Sequence, residues 1–476
     1  MGVAATASGR EHLLAQYSRL IEVNPELCRA LVSYQANKQE PIYSWLKYRE
    51  GFSAALVRYL LSVLSPKAGR LLDPFAGGGT ALFAAQSLGW ETVGIELLPV
   101  GVACAQAQLS VARVSASSFR GAVRAFVSSG WERMQSQTWR FPHIPITEGA
   151  FSPENEKLVN RFRSYCEQRL DNEDIRFLFE FAGLCVLEEV SFTRKDGQYL
   201  RWDMRAPRKQ VSKRFTKSEI KNFDGAVIEQ LQRMACDMEG VMRDGQMTMT
   251  LLEPAGIGAC PQIVQGSSLE VLPTLEPTQF DFILTSPPYC NRYDYTRTYA
   301  LELAYLGYSG REVSELRQHL LSCTVENREK DEILRTLYSD LRRPQAYKDA
   351  EQAFYDQSAL QEVVHLLEKK RSAGELNNTN IVRMVRNYFF EMTLVVFEMA
   401  RLLRPLGYVA MVNDNVRYAG EEVPVDLILS DIARAAGLVV DRIWTLGSGK
   451  GNSSQQMGAH GRAELRKCVY IWRKPL

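Results

Sequence analysis

The sequence predicts an α/β fold in which a parallel sheet carries two inserted, largely helical segments. Short apolar stretches alternate with helical ones around residues 70–96, and the alternation returns near residues 262–285 and again after residue 381. Strands that alternate with helices are typical of a parallel sheet covered by helices. The alternation is lost at residues 115–256 and 301–380, where long polar or charged helical stretches indicate insertions.

The first regular unit has the pattern of a nucleoside site. Arg70–Pro74 is a short apolar strand, Ala76–Gly79 a glycine turn, Thr80–Leu88 a helix and Glu91–Glu96 a second strand. Glycine allows positive φ and lets a ligand lie against the backbone, here at the strand end where open parallel sheets bind ligands. A carboxylate at Glu96 can accept hydrogen bonds from both hydroxyls of a ribose.

The cofactor predicted for this turn carries no phosphates. A dinucleotide fingerprint requires a small residue at position 82, where the chain has Leu82, and no GxxxxGK[ST] phosphate loop occurs. The alternative, that Gly77–Gly79 makes only a tight connection, is disfavoured because Glu96 follows at the expected position.

The last part of the chain predicts a long helix followed by strands and one more helix. Ile381–Leu403 places apolar residues on one face and stops at Pro405. The remaining predicted elements are the strand Tyr408–Val412, the helix Val425–Ala436, and the strands Leu438–Trp444 and Lys467–Trp472.

Two motifs together resemble a known family. DPFAGGGT (residues 73–80) and TSPPY (residues 285–289) are similar to the signature motifs of the DNA amino-methyltransferases, which act on adenine N6 or cytosine N4. The resemblance implies a Rossmann-like, seven-stranded core, S-adenosylmethionine as cofactor and double-stranded DNA as partner. It covers Pro41–Leu109, Pro261–Tyr299 and Ile381–Lys474.

The SPPY motif suits methylation of an exocyclic amine. Such an amine is a poor nucleophile until its protons are held so that its lone pair can turn toward the methyl donor, and Ser286 with the Pro287 carbonyl can hold them. The prolines fix φ, which preorganises these acceptors. Tyr289 offers a face for stacking a flipped base. We therefore predict Ser286, Pro287, Pro288 and Tyr289 as the catalytic residues, and the serine favours cytosine N4 slightly over adenine N6.

The resemblance also implies the cofactor site. KYREGFSAALVRYLL (residues 47–61) is similar to the family's N-terminal motif, whose Phe-Ser pair covers the methionine end of the cofactor. In IVQGSSLEVLP (residues 263–273) Ser267 replaces the acidic residue usual near the cofactor's adenine. The implied cofactor-binding residues are Phe52, Ser53, Asp73, Pro74, Phe75, Ala76, Gly77, Gly79, Thr80, Glu96, Leu97 and Ser267.

A basic segment predicts where DNA binds. Ten basic residues against three acidic ones lie between Arg194 and Lys221, interleaved with aromatic residues, which suits contacts to phosphates, sugars or bases. The alternative is a solvated charged face. The candidate DNA-binding residues are Arg194, Lys195, Arg201, Arg205, Arg208, Lys209, Lys213 and Arg214.

These observations divide the chain into six parts, and the sequence leaves open which insertion recognises the DNA sequence. The predicted divisions are 1–40, an N-terminal helical segment; 41–114, the first part of the core with the cofactor site; 115–256, an inserted basic domain and candidate target-recognition domain; 257–300, the core with the catalytic motif; 301–380, a helical insertion; and 381–476, the last part of the core.

Composition restricts the class of protein further. The 476 residues have a formal charge of +2, so any nucleic-acid footprint must be local. Nine scattered cysteines with no CxxC pair predict neither disulfides nor a metal site. No apolar run is long enough to cross a membrane, so we expect a cytoplasmic protein.

A cognate restriction or defence partner is what the family implies. The alternatives are an RNA or protein amine methyltransferase, or a catalytically silent DNA-binding protein.

Overall fold

A mixed sheet forms the centre of the computed structural model, which describes residues 8–48, 51–135, 137–196, 200–208, 215–243, 260–447 and 465–476. The strands of these ranges are β1 (Ile21–Val23), β2 (Arg70–Asp73), β3 (Glu91–Glu96), β4 (Thr193–Lys195), β5 (Leu200–Trp202), β6 (Gln262–Gln265), β7 (Phe280–Thr285), β8 (Leu403–Asp414), β9 (Val416–Tyr418), β10 (Glu421–Val423), β11 (Val439–Thr445) and β12 (Lys467–Arg473).

Eight of these strands form one sheet in the order β1-β11-β12-β8-β7-β2-β3-β6. Strand β12 runs antiparallel to β8 and β11, and every other neighbouring pair is parallel. The carboxyl ends of β2, β3, β7 and β8 therefore meet at one edge, where open α/β sheets bind ligands. This confirms the predicted α/β class with a parallel-rich sheet. Strands β4 and β5, and likewise β9 and β10, form separate antiparallel pairs.

The predicted count of seven strands is wrong by one. Strand β1 adds to the edge of the sheet, with Ile21 in register with Ile443. It is three residues long and lies in the segment that the sequence predicted as helical, where the structure has one α-helix, two short 3-10 helices and this strand. A strand this short has no readable alternation, and its partner lies more than 400 residues away in the chain.

The helices cover the sheet and also make up much of the described parts of residues 115–256 and 301–380, which the sequence predicted as insertions. Those of the described ranges are α1 (Gly9–Tyr17), α2 (Ala54–Leu64), α3 (Thr80–Gln86), α4 (Pro99–Arg113), α5 (Ala116–Ser128), α6 (Pro153–Arg169), α7 (Glu173–Val190), α8 (Phe223–Arg243), α9 (Ser268–Val271), α10 (Tyr295–Thr298), α11 (Ala300–Tyr305), α12 (Gly310–His319), α13 (Asp331–Asp340), α14 (Pro344–Asp356), α15 (Ser358–Ser372), α16 (Ile381–Leu402) and α17 (Val425–Ala435).

Alternating side chains of the sheet are buried on opposite faces. Leu72 and Ile283 pack with α16, α17 and the helices α13–α15, whereas Leu71 and Phe282 pack with α2 and α3 on the other face. This is the two-residue period of a strand buried on both sides. The long apolar face predicted for residues 381–403 is the face of α16 that lies in this core.

A third apolar cluster joins the helices α4–α8 to α11. Its centre is aromatic: Phe126 stacks on Trp131 at 5.0 Å and meets Phe162 edge to face at 5.5 Å. Tyr48 and Tyr299 belong to the same cluster. The region 115–243 is therefore packed directly against the part of the core that carries the glycine turn.

No helix of the described ranges is long and apolar enough to cross a membrane. Within the same ranges, no group of three or more His, Cys, Asp and Glu side chains has the arrangement of a metal site.

Candidate active site

The two signature motifs lie side by side because their strands are neighbours. The glycine turn follows β2 and the SPPY motif follows β7, and Leu72 pairs with Ile283 between them. Thr285 donates a hydrogen bond from Oγ1 to Asp73 Oδ1 at 2.8 Å, and the Phe75 amide donates to the same carboxylate at 3.0 Å. Both Asp73 and Thr285 are buried. This contact fixes the distance between the two motifs.

The glycine turn depends on residues without side chains. Gly77 and Gly79 have φ values of +54° and +82°, which L-residues with a Cβ rarely adopt. A Cβ on Gly77 would lie 3.0 Å from the Tyr48 ring, and one on Gly79 would lie 2.9 Å from the Phe83 ring. Gly79 precedes α3, whose first residue is Thr80.

Glu96 is tied to the glycine turn. Its carboxylate accepts hydrogen bonds from the Gly77 and Leu98 amides, each at 2.6 Å. Burial raises the pKa of Glu96 to about 7 against the opposing effect of these hydrogen bonds, and burial raises the pKa of Asp73 to about 7 in the same way. Each carboxylate oxygen has two lone pairs, so these contacts leave acceptor capacity at both residues.

Three adjoining cavities share Ser286 as a lining residue. The first is lined by Phe52, Asp73, Phe75, Ala76, Gly77 and Thr80 among others, and we name it the methionine-side cavity after the cofactor end that the family resemblance implies there. The second is lined by Glu96, Leu97, Ser267 and Pro288 among others, and we name it the ribose-side cavity in the same way. The third, which we name the outer cavity, has Pro287 and Tyr289 in its lining.

Ser286 and Tyr289 are linked within the motif. The Ser286 hydroxyl donates to the Tyr289 oxygen at 3.2 Å, and burial raises the pKa of Tyr289 above its usual value. A hydroxyl that gives its hydrogen away keeps its lone pairs as acceptors. Ser286 can therefore accept a hydrogen bond from a group in the cavities while Tyr289 fixes its rotation.

Three of the predicted cofactor residues do not line these cavities. Ser53 is fully buried; its hydroxyl caps α2 by accepting from the Leu56 amide and donates to the Leu31 carbonyl at 2.7 Å. Pro74 offers its carbonyl to the Ser268 hydroxyl. Gly79 serves the turn described above. Cofactor contact by Ser53 stays a prediction, and its hydroxyl already has two partners, the Leu56 amide and the Leu31 carbonyl.

The side chain of Ser267 also has a partner inside the protein. Its hydroxyl donates to the His319 carbonyl at 2.9 Å, and the residue lies in the lining of the ribose-side cavity. The serine that replaces an acidic residue here thus joins α12 to the start of α9.

Gln108 and Tyr48 are among the residues of the methionine-side cavity that sequence reasoning missed. Gln108, buried in α4, donates from Nε2 to the Gly78 carbonyl at 3.0 Å, and its Oε1 is buried without a hydrogen-bond partner in the described part of the chain. Tyr48 stacks on Tyr299 with ring centroids 5.2 Å apart and covers Gly77. A glutamine among the alanines of α4 was the available signal, whereas nothing local marks Tyr48.

Relatives of known class extend over nearly the whole chain, although no family model and no solved structure matches it. It is 43% identical over 457 residues to the type II methyltransferase M.AvaI of Nostoc sp. (strain PCC 7120) and of Anabaena variabilis, which is 96% of this chain and 91% of each relative. The type II methyltransferase M.BsoBI of Geobacillus stearothermophilus is 36% identical over 474 residues, 97% and 91% of the two chains. The chain belongs to the type II DNA methyltransferases.

Among the described residues of the predicted DNA-binding segment of this methyltransferase, Arg194 reaches the site. Arg194 lines the outer cavity together with Ser286 and lies over the Phe215 ring at 5.5 Å. Other basic residues of the segment have partners within it: Arg201 pairs with Asp196, Arg205 pairs with Asp203 at 2.7 Å, and Arg208 lies over the Trp202 ring at 4.4 Å. Lys209, Lys213 and Arg214 lie outside the described residues.

Lys195 corrects the prediction for this segment. Its side chain is only 3% exposed, and its ammonium lies 2.5 Å from Glu302, 3.9 Å from Glu188 and 4.7 Å from the centre of the Tyr299 ring. A buried cation with these partners is not available to a phosphate. The sequence could not distinguish it from its neighbours because alternate residues of a strand point to opposite sides.

We expect Lys195→Met to lower the free energy of unfolding by about 3–5 kcal/mol, because Glu302 would be left as a buried carboxylate without its cation. The double variant Lys195→Met/Glu302→Met should recover much of this loss, since it removes both charges. Urea unfolding of the two variants and of Glu302→Met alone measures the coupling. Unchanged stability of Lys195→Met together with weakened DNA binding would restore the phosphate assignment.

Proposed function

We propose that this methyltransferase transfers a methyl group from S-adenosylmethionine to the exocyclic amine of a base flipped out of duplex DNA, with cytosine N4 slightly preferred over adenine N6. The observation that carries the proposal is the position of Ser286, which lines the methionine-side, ribose-side and outer cavities at once. A group at this junction can contact both a cofactor held in the first two cavities and a base entering through the third.

The hydrogen-bond acceptors of the two inner cavities fit S-adenosylmethionine. The methionine-side cavity contains the Asp73 carboxylate and the unpartnered Gln108 Oε1, both suited to the ammonium group of an amino acid. The ribose-side cavity contains Glu96, whose remaining lone pairs suit ribose hydroxyls. Phe52 would cover the methionine end, as the family motif implies. When bound, the cofactor supplies an electrophilic methyl group on a sulfonium.

The chain's own residues prepare the amine for attack. Ser286 Oγ and the Pro287 carbonyl would accept hydrogen bonds from the amine hydrogens, which turns the nitrogen lone pair toward the inner cavities. The hydrogen bond from Ser286 to Tyr289 and the fixed φ of Pro287 hold these acceptors in place beforehand. Because no covalent intermediate is required, approach geometry should supply much of the rate.

Base flipping and the choice of substrate follow from the same cavity. A base stacked in a duplex cannot reach Ser286, so its nucleotide must rotate out, and the Tyr289 ring can stack on it. The proposal of cytosine rests on Ser286 alone, since the family resemblance links a serine in this position with cytosine N4 enzymes. The names of the relatives, type II methyltransferases, support a restriction-modification setting with a cognate nuclease.

Removing the acceptor should remove the reaction and leave cofactor binding intact. We expect Ser286→Ala to lower kcat by about 100-fold or more, as the loss of one preorganised hydrogen-bond partner does in other enzymes. Tyr289→Ala should be similarly impaired because the base loses its stacking surface. Transfer of labelled methyl groups to duplex DNA measures the effect, and Ser62→Ala, an exposed serine on α2, is the matched control. Full activity of Ser286→Ala would overturn the mechanism.

DNA sequencing that detects modified bases identifies the methylated atom and its sequence context. Single-molecule sequencing of DNA from cells that express the protein should report methylation of one amine in one sequence context, and cytosine N4 is the expected atom. The Ser286→Ala variant expressed in the same cells provides the background. Unmodified DNA together with methylated RNA would favour the RNA methyltransferase that the sequence left as an alternative.

The affinity for S-adenosylmethionine should rise with pH between 6 and 8. Asp73 and Glu96 both have a pKa of about 7, and only the ionised form keeps all of its acceptor lone pairs. As the pH falls through 7 each carboxylate gains a proton, so the dissociation constant should increase by roughly tenfold per carboxylate whose ionised form is required. Isothermal titration calorimetry measures this, and Asp73→Asn should weaken binding and flatten the profile.

The unpartnered oxygen of Gln108 gives a separate test of the methionine-side cavity. Gln108→Leu keeps the apolar packing of α4 but removes the acceptor, so the affinity for S-adenosylmethionine should fall by about tenfold, the value of one hydrogen bond. The same calorimetry measures it. Methylthioadenosine, which lacks the amino-acid group, serves as the control ligand, and its affinity should not change. An equal loss for both ligands would exclude an ammonium contact at Gln108.

A further inference from the structure

The lining of the outer cavity is strongly basic. Five cations and one carboxylate belong to it together with the SPPY motif: Arg29, Lys38, Lys47, Arg194 and Lys467 against Asp414. Lys467 is paired with Asp414 at 2.5 Å, so the carboxylate is already neutralised within the cavity. Three of the remaining four cations come from residues 29–47, outside the segment 194–221 that the sequence predicted for DNA binding.

These cations are turned toward solvent. Arg29, Lys38, Lys47 and Arg194 are all exposed. Within the described ranges, no carboxylate lies within ion-pair distance of Lys38 or Arg194, whereas Arg29 interacts electrostatically with Asp414. Cations gathered beside a cavity produce a positive electrostatic potential there, and such a potential attracts an anionic ligand.

The segment that carries them is firmly attached to the cofactor side of the core. The buried side chain of Asn37 donates to the Phe52 carbonyl at 3.2 Å and accepts from the Ala54 amide at 3.0 Å. The Tyr34 hydroxyl donates to the Leu46 carbonyl at 3.1 Å. Because the backbone that carries these cations is already ordered, binding costs side-chain freedom but little backbone freedom, which distinguishes this surface from a loose basic tail.

We propose that Arg29, Lys38 and Lys47 bind backbone phosphates of the DNA strand that carries the target base, next to the point where the nucleotide leaves the duplex. The inference rests on the proposed function, because a flipped base reaches Ser286 through the outer cavity while its flanking phosphates stay outside. Arg194 contributes a further phosphate contact from the β4–β5 hairpin. Phosphate contacts carry no sequence information, so these residues strengthen binding to every sequence alike.

The test compares two variants from which the same charge is removed. Arg29→Ala/Lys38→Ala/Lys47→Ala removes the proposed contacts, and Arg19→Ala/Lys67→Ala/Lys348→Ala removes three exposed cations that do not line the cavity. Arg19 and Lys67 precede the parallel strands β1 and β2. They therefore lie near the amino ends of the strands, opposite the carboxyl ends where the cavities are. Binding of a fluorescent duplex containing the sequence methylated in cells is measured by anisotropy at several KCl concentrations, beside a duplex lacking that sequence.

Removal of each phosphate-binding cation should reduce the slope of log K against log salt by about one. The slope of the first variant should therefore fall by about three, and its binding at 0.1 M salt should be on the order of 100-fold weaker. The preference between the two duplexes and the affinity for S-adenosylmethionine should not change. The control variant should keep the slope of the unmodified protein within about one unit, which separates local contacts from overall charge.

A slope and affinity equal to those of the control variant would overturn the proposal. So would a selective weakening of binding to the methylated sequence, which would make these residues readers of bases. If the triple variant also fails to bind S-adenosylmethionine, Lys38→Ala alone decides, because Lys38 lines neither inner cavity and its removal should reduce the slope by about one. Failure of the unmodified protein to methylate DNA would refute the proposed function instead.

Discussion

The hydrogen bond from Thr285 to Asp73 is the contact on which the site depends. It joins the carboxyl ends of β2 and β7, which pair in parallel although more than 200 residues separate them in the chain. Through it the strand that ends in the glycine turn and the strand that ends in SPPY are held in one register. Burying the Asp73 carboxylate opposes ionisation and raises its pKa, and two hydrogen bonds compensate in part. A site that needs an ionisable acceptor at this point therefore also needs Thr285.

Glu96, on the neighbouring strand β3, likewise has both a structural role and a proposed ligand-binding role. Its carboxylate holds the Gly77 amide, so the residue that would bind a ribose also fixes the turn beside which the cofactor would lie. Gly101 packs from the start of α4 against this carboxylate, where an added Cβ would lie 2.9 Å from Glu96 Cγ. Local structure and ligand binding thus use the same atoms, and neither can be altered without the other.

Sequence patterns predicted the elements whose signal is local. The strands β2 and β3 and the helix α16 have recognisable periods, and the structure has them within a few residues of the predicted bounds. The two motifs are marked by their glycine and proline positions. What the patterns missed depends on distant pairing. Strand β1 forms by pairing with β11. The Ser53 hydroxyl donates to the Leu31 carbonyl, 22 residues earlier in the chain. The cations of residues 29–47 become candidates for ligand binding only when the cavity that they line is known.

The basic hairpin illustrates why a charge count alone misassigns residues. Arg194 and Lys195 are adjacent in β4, and adjacent strand residues point to opposite sides. Lys195 is drawn inward by Glu302 and by the face of Tyr299, which itself stacks on Tyr48 above Gly77. Arg194 must then face outward, into the outer cavity. The buried Lys195 therefore sets the orientation of Arg194, for which we propose a DNA contact, and it does so through a chain of contacts that ends at the glycine turn.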